Sequence, residues 1–144
     1  MLMAMDLASK VKAFVRSARV AHLATADRKG RPHVIPICFA FDGKALYSPI
    51  DEKPKKISPL KLKRIKNIRE NPCVAVVIDH YDENWKKLAF VLIQGRARIL
   101  LRGEQHRGAV RLLRKKYPQY RRMAIQDRPM IRIVPNYFRS WGAP

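Results

Sequence analysis

The sequence predicts a mainly β protein of the α+β class, an antiparallel barrel of six to seven strands with helices over its openings. Three observations predict it. Short apolar runs separated by turn signals follow one another from Val20 to Ser48. Three further strand-like runs occupy 73–79, 88–101 and 130–134. Between them lie segments near the N-terminus, at 58–70 and at 103–117, whose apolar residues recur at helical spacing.

Taken in order, Asp6 is placed to cap a first helix carrying Leu7, Val11, Phe14, Val15 and Ala18 on one face. Residues 22–26 alternate as a strand, and Asp27-Arg28-Lys29-Gly30 turns the chain. The run 34–41 reads as one strand, Asp42-Gly43 as a tight turn, and 45–48 as the returning strand. An Asp-Gly pair between apolar runs is a strong hairpin signal, because both central residues of such a turn need positive φ. Ser58-Pro59 starts a helix that runs to about Glu70 with a narrow stripe of Leu62, Ile65 and Ile68, and Asn71-Pro72 ends it.

The continuous apolar run 73–79 suits a strand buried on both faces, and 80–87 is a polar loop. Gly95 interrupts the long strand 88–101, where a bulge or sharp bend is expected. A helix over 103–117 buries His106, Val110, Leu113 and Tyr117, and Pro118 closes it. After the strand 130–134 comes a tail with Tyr137, Phe138 and Trp141. There is no internal repeat and no linker, so residues 1–144 read as one domain.

Composition narrows the class. An apolar fraction of 47% argues for a folded chain. No apolar run approaches the roughly 18 residues needed to span a bilayer. The first six residues lack a basic region followed by an apolar one, so no signal peptide is expected. Cys38 and Cys73 sit in apolar runs without CxxC or histidine partners at ligand spacing. They read as buried free thiols in a reducing cytoplasm, with neither disulfide nor metal site.

A net charge of +20 raises nucleic acid as a partner. The basic residues, however, are spread along the chain, and no RNP-type motif, GxxG clamp, zinc finger or basic zipper accompanies them. A solvated basic surface that concentrates anionic ligands explains the charge better than a nucleic-acid groove. No GxSxG, HExxH, Walker or GxGxxG motif is present. Asp79-His80-Tyr81-Asp82 gathers acid, base and phenol at a strand end, where a hydrogen-bonded turn is the ordinary alternative.

The densest signal lies between Lys53 and Arg69, with eight basic residues and no acid. Such a run usually means a solvated face; its placement here suggests more. Lys53, Lys55 and Lys56 follow a strand end, and Arg64 lies within two turns of a helix start. Strand end, basic loop and helix start together make an anion pocket suited to phosphate, with Ser48 adding a hydroxyl. Phe39, Phe41 and Tyr47 read as core, whereas Trp85 in a polar loop and Trp141 in the tail suit a planar ligand or a subunit contact.

Together these residues resemble the pyridoxamine-phosphate-oxidase-like split β-barrel family, in its flavin- and deazaflavin-dependent branch. The resemblance is carried by residues 21–33, by Pro36-Ile-Cys-Phe-Ala-Phe-Asp-Gly43, and by Leu46-Tyr-Ser-Pro-Ile-Asp-Glu-Lys-Pro-Lys55. It continues through 62–72, Tyr117-Pro-Gln-Tyr120 and Arg139-Ser-Trp-Gly142. The loop Asp79-His-Tyr-Asp-Glu-Asn-Trp85 is similar to that of a narrower subgroup of F420-dependent enzymes.

What the resemblance implies is an FMN-binding split barrel and a homodimer with two cofactor sites at the subunit interface. The phosphate end would lie by Ser48, Lys53, Lys55, Lys56 and Arg64. The ring of coenzyme F420 or FMN would lie against the backbone of Val34, Ile35, Pro36 and Ile37, with Trp85 and Trp141 as candidate cover. The chain departs from related sequences at Ala89-Phe-Val-Leu-Ile93, where they tend to carry tryptophans, and this leaves the shape of the substrate side open. The expected function is oxidoreduction of a small organic substrate, the hydride being the cofactor's. The alternative is a split barrel that binds flavin, deazaflavin or haem without turnover, and a nucleic-acid barrel ranks below both.

Overall fold

Local sequence explains most elements of the computed structural model, which describes residues 8–51 and 58–144. The expectations for Asp6, Leu7, Lys53, Lys55 and Lys56 fall outside those residues. The first helix, α1 (Ser9–Ser17), buries Val11 and Val15, with Phe14 and Ala18 packed beside them. Strands β1 (Ala21–Ala26) and β2 (Pro32–Ile37) form an antiparallel hairpin that pairs Ala21 with Ile37 and Ala26 with Pro32. The turn is held by the Asp27 carboxylate, which accepts from the backbone N–H of Lys29 and Arg31 at 2.9 and 3.0 Å.

The run expected as one strand over 34–41 is divided. It forms β2 and then a short β3 (Ala40–Phe41), and the two lie at opposite edges of the sheet. With β4 (Leu46–Pro49), β5 (Cys73–His80), β6 (Ala89–Leu100) and β7 (Met130–Gly142), the order is β2-β1-β5-β6-β7-β4-β3. Every neighbouring pair is antiparallel. The sheet therefore curls into a split barrel whose edges are joined by the chain itself at Cys38-Phe39, without a hydrogen-bonded ladder between β2 and β3. An apolar pattern continues across such a corner because both halves face the same core, so pattern alone does not reveal the break.

The β3–β4 turn also differs from the expected form. Asp42 N–H donates to the Ala45 carbonyl at 3.2 Å, so the two loop residues are Gly43 and Lys44. Only Gly43 takes positive φ, +95°, while the Asp42 carboxylate accepts from the N–H of Lys44 and Ala45, both at 2.8 Å. The aspartate acts here as a side-chain cap on the turn.

Ser58 starts a single 3-10 turn (Pro59–Lys61), accepting from Leu60 N–H, but the helix does not run on from it. Leu62 is extended, and α2 (Lys63–Glu70) begins after it, burying Ile65 and Ile68. Strand β5 is not buried on both faces. Val74, Val76 and Ile78 point inward, whereas Cys73 is exposed and Ala75 and Val77 are half-buried, because among the described residues no helix covers the outer face there. The expectation of two buried thiols thus fails for Cys73, and Cys38 is half-buried.

Gly95 does mark a bulge: pairing with β7 shifts between Gln94 and Gly95, leaving Asn136 between Tyr137 and Pro135. The last strand is much longer than expected, since β7 continues through the supposed tail and pairs with the whole of β6. Pro135 is tolerated because it sits at the bulge, where a ladder hydrogen bond is already missing. Helix α3 (Glu104–Lys116) matches the sequence, with His106, Val110 and Leu113 buried. It covers Tyr47, Met130 and Tyr120 in a second apolar cluster, while the barrel interior holds Leu23, Phe39, Ile65, Ile78, Ile93 and Ile133. No helix among the described residues is long and apolar enough to cross a membrane.

Candidate functional site

The corner at Cys38-Phe39 opens a cleft of about 250 Å³ lined by Pro36, Ile37, Cys38, Ser48, Asp51 and Arg64, among others. Each arrives for a local reason. Pro36 and Ile37 end the edge strand β2, whose outer backbone groups have no sheet partner among the described residues. Ser48 lies in β4 opposite Ile131 of β7. Arg64 is the second residue of α2 and is only 6% exposed. A guanidinium so deeply placed beside a cleft is a strong anchor for an oxyanion, being always charged and geometrically matched to it.

The start of α2 is held by Asp27. Its carboxylate, 2% exposed, receives Arg31 Nε at 2.6 Å and lies 3.6 Å from Lys63 Nζ. Hydrogen bonds from the Arg31 backbone, then the Arg31 side chain and Lys29 N–H, outweigh burial and lower its pKa to about 2. The β1–β2 turn and the residue before Arg64 are thus tied through one carboxylate.

Ser48 is 2% exposed and donates to the Cys38 carbonyl at 2.8 Å, so its proton holds the corner. Phe39 is held from the other side by α3: the Tyr117 hydroxyl accepts from its N–H at 3.1 Å, and Lys116 Nζ donates to its carbonyl at 2.9 Å. Lys116 also stands 4.0 Å from the Phe39 ring centroid. Burial, then the charge of Arg19, pulls the Lys116 ammonium down to about 8. Burial pushes the Tyr117 phenol up to about 12.

Asp51 faces the same cleft. Its carboxylate accepts from Tyr120 at 2.5 Å, and its carbonyl accepts from Arg128 Nη1 at 2.8 Å. Burial, then the bond to Asp51, holds the Tyr120 phenol well above the usual range. Asp51, Lys116, Tyr117 and Tyr120 escape sequence reasoning as site residues. Tyr117 and Tyr120 stand out only as a Tyr-Pro-Gln-Tyr motif, and nothing local points from them to residues about seventy positions earlier.

Of the residues expected at the site, Pro36, Ile37, Ser48 and Arg64 come together in the cleft. Ile35 points inward against the core, and Val34 points outward, 61% exposed. Trp85 and Trp141 do not line the cleft; they are 71% and 51% exposed, and Trp141 stacks on Phe90 with centroids 5.9 Å apart. Trp141 belongs to the outer face of the sheet. Cross-strand rows there run Pro36–His22–Val77–Leu92–Arg139 and Val34–Ala24–Ala75–Gln94–Tyr137. The Asp79–Asp82 group lies at the surface: His22 and Asp79 lie 3.9 Å apart and His80 and Asp82 3.7 Å, with His22, Asp79 and His80 about half exposed and Asp82 half-buried.

No curated protein matches the chain. Solved structures do. The haem storage protein HutZ from Vibrio cholerae superposes with a TM-score of 0.73 at 18% identity, covering 96% of this chain and 95% of its own. A FAD-binding protein from Mesorhizobium loti gives 0.69 at 24% identity, covering 93% and 92%. An F420 reductase gives 0.63 at 24% identity, covering 93% and 98%. At these identities the likeness speaks for the fold. The family model described as pyridoxamine 5'-phosphate oxidase matches residues 7–142, and the chain belongs to that family.

Proposed function

We propose that this protein is an oxidoreductase that binds coenzyme F420 or FMN between two copies of the chain and passes hydride to a small organic substrate. The observation that carries the reading is the cleft itself, where a nearly buried cation, Arg64, meets the open edge of β2. The residues fit a phosphorylated ring cofactor: Arg64 for the phosphate, and the unpaired edge and apolar outer side chains of β2 for a flat ring. At about 250 Å³ the cleft falls below the roughly 300–1,000 Å³ usual for small-molecule sites. That size supports a site shared between two chains, in which a second copy laid over the half-apolar outer face would complete it, with Trp85 and Trp141 as cover. A net charge of +20 draws an anionic cofactor toward the surface. When bound, the flavin or deazaflavin supplies the redox chemistry.

The likeness to an F420 reductase and to a FAD-binding protein supports this choice of cofactor, and the likeness to HutZ supports a second reading, a haem- or flavin-binding module without turnover. Two free thiols suit the reducing cytoplasm we infer for either. The test is to incubate the protein with F420, FMN or haem, desalt it, and record the absorbance spectrum. Retention of F420 or FMN followed by catalytic reduction of an enone or imine supports the enzyme. Retention of any of the three without turnover supports the module, and retention of none overturns both.

A further inference from the structure

A carboxylate is the wrong group to place in a pocket meant only for phosphate, yet Asp51 shares its cleft with Arg64. It is not there by loose drift. Tyr120 holds one carboxylate oxygen, and Arg128 holds the Asp51 carbonyl, so two elements distant in sequence fix the residue from both ends. A carboxylate offers about four acceptor positions on its two oxygens, and the tyrosine takes one. Like charges at contact distance repel strongly in a partly desolvated site, so a ligand oxyanion belongs on Arg64 and a hydrogen-bond donor on Asp51. The scale of the cleft sets both groups against adjacent parts of one ligand.

We infer that Asp51, positioned by Tyr120, accepts a hydrogen bond from a hydroxyl of the ligand's chain, so that the cleft selects a hydroxylated chain ending in phosphate rather than phosphate alone. The inference rests on the cofactor reading above, and the two fail separately. Three flavins separate the parts: FMN carries polyol and phosphate, riboflavin the polyol only, and lumiflavin neither. Titrated by fluorescence quenching, Asp51→Ala should bind FMN and riboflavin about tenfold more weakly or worse. Lumiflavin should bind it as it binds the unmodified protein.

Asp51→Asn keeps an acceptor oxygen and should lose less than Asp51→Ala. If Asp51→Ala fails to fold, the ligand carries the test. A flavin whose phosphate sits on a plain alkyl chain should bind the unmodified protein about tenfold more weakly than FMN. Equal binding of riboflavin, which has no phosphate for the Asp51 charge to repel, by the unmodified protein and Asp51→Ala, or of FMN and the alkyl analogue by the unmodified protein, overturns the role of Asp51. Should the unmodified protein take up F420 alone, then F420, the deazaflavin with the polyol but no phosphate, and the bare deazaflavin ring replace FMN, riboflavin and lumiflavin, with the same two outcomes. Failure of every flavin and deazaflavin to bind the unmodified protein overturns the cofactor reading instead.

Discussion

The hydroxyl of Tyr117 grips the backbone of Phe39 on both sides. It accepts from the Phe39 N–H at 3.1 Å, and its own proton lies between the carbonyls of Phe39 and Arg19, at 3.0 and 2.9 Å. This is where the chain leaves β2 and joins β3, so Phe39 gives up ladder bonds at the point where the split barrel changes edges. A buried amide left unpaired costs about 1–3 kcal/mol. Tyr117→Phe is expected to lose stability in that range, seen as a lower urea midpoint with an unchanged slope. A midpoint equal to that of the unmodified protein would show the corner to be held without the tyrosine.

The same corner predicts an alkaline signature. The Tyr117 phenol rises from 10.0 to about 12 on folding, so its contribution is complete below pH 10 and is lost as pH climbs through 12. Lys116 moves the other way, from 10.5 to about 8, so between those values the unfolded chain binds more protons and stability rises with pH. Urea midpoints across pH 8–12 should climb and then fall. Lys116→Met should flatten the climb, and Tyr117→Phe should flatten the fall. Unaltered profiles in both variants would contradict the burial assigned to these groups.

Acid acts at the turn end of the β1–β2 hairpin, away from the Ile37 end that leads into the corner. Asp27 titrates near 2 in the folded state against an ordinary value of 3.8, so its contribution is present above the ordinary value and is lost as pH falls through about 2. Asp27→Asn should cost stability at pH 7 and leave the remaining protein less sensitive to acid between pH 4 and 2. Because Asp27 ties the β1–β2 turn to Lys63, the variant should also weaken retention of a phosphorylated cofactor at Arg64. Parallel acid profiles for the two proteins would refute the role given to this carboxylate.

What the sequence makes legible follows the distance over which each feature is decided. The Asp27–Gly30 turn and α3 are set within a few residues and need no partner to be read, and Gly95 marks its bulge by residue type although β7 is what it yields to. The division of the run 34–41 is different, because Ile37 and Ala40 look alike until their partners, Ala21 and Tyr47, are known. The residues after Val134 become a strand only because β6 lies alongside them. The site shows the same division. Ser48 and Arg64 stand at a strand end and a helix start, which local signals mark. Asp51 is visible in the sequence but sits against a lysine-rich run, and its partner Tyr120 is 69 positions away.

Gly95 tests the bulge directly. A Cβ built there would lie 2.4 Å from the Val134 carbonyl oxygen and 3.0 Å from Pro135 Cα. Both obstacles are backbone, so the strand itself must move. Gly95→Ala is expected to destabilise by about 1–3 kcal/mol, the usual cost of overpacking. Gly108→Ala serves as the control, since its nearest contact is the flexible Arg111 side chain at 3.7 Å, and a helix interior favours alanine by about 0.5–1 kcal/mol. Equal thermal midpoints for the two variants would refute the close approach of β7 at Gly95.

The outer face offers the sharpest test of the proposed dimer. Leu92 is half-buried there, between Val77 and Arg139, and it faces away from the barrel core. Leu92→Arg therefore leaves the interior packing intact and should change monomer stability by no more than about 0.5 kcal/mol. Across a two-fold interface the same change brings an unpaired charge against an apolar, already cationic surface, which costs several kcal/mol. Light scattering should then report a dimer for the unmodified protein and a monomer for Leu92→Arg, with loss of cofactor retention in step. A variant that stays dimeric and keeps its cofactor would place the subunit contact elsewhere, and with it the missing half of the site.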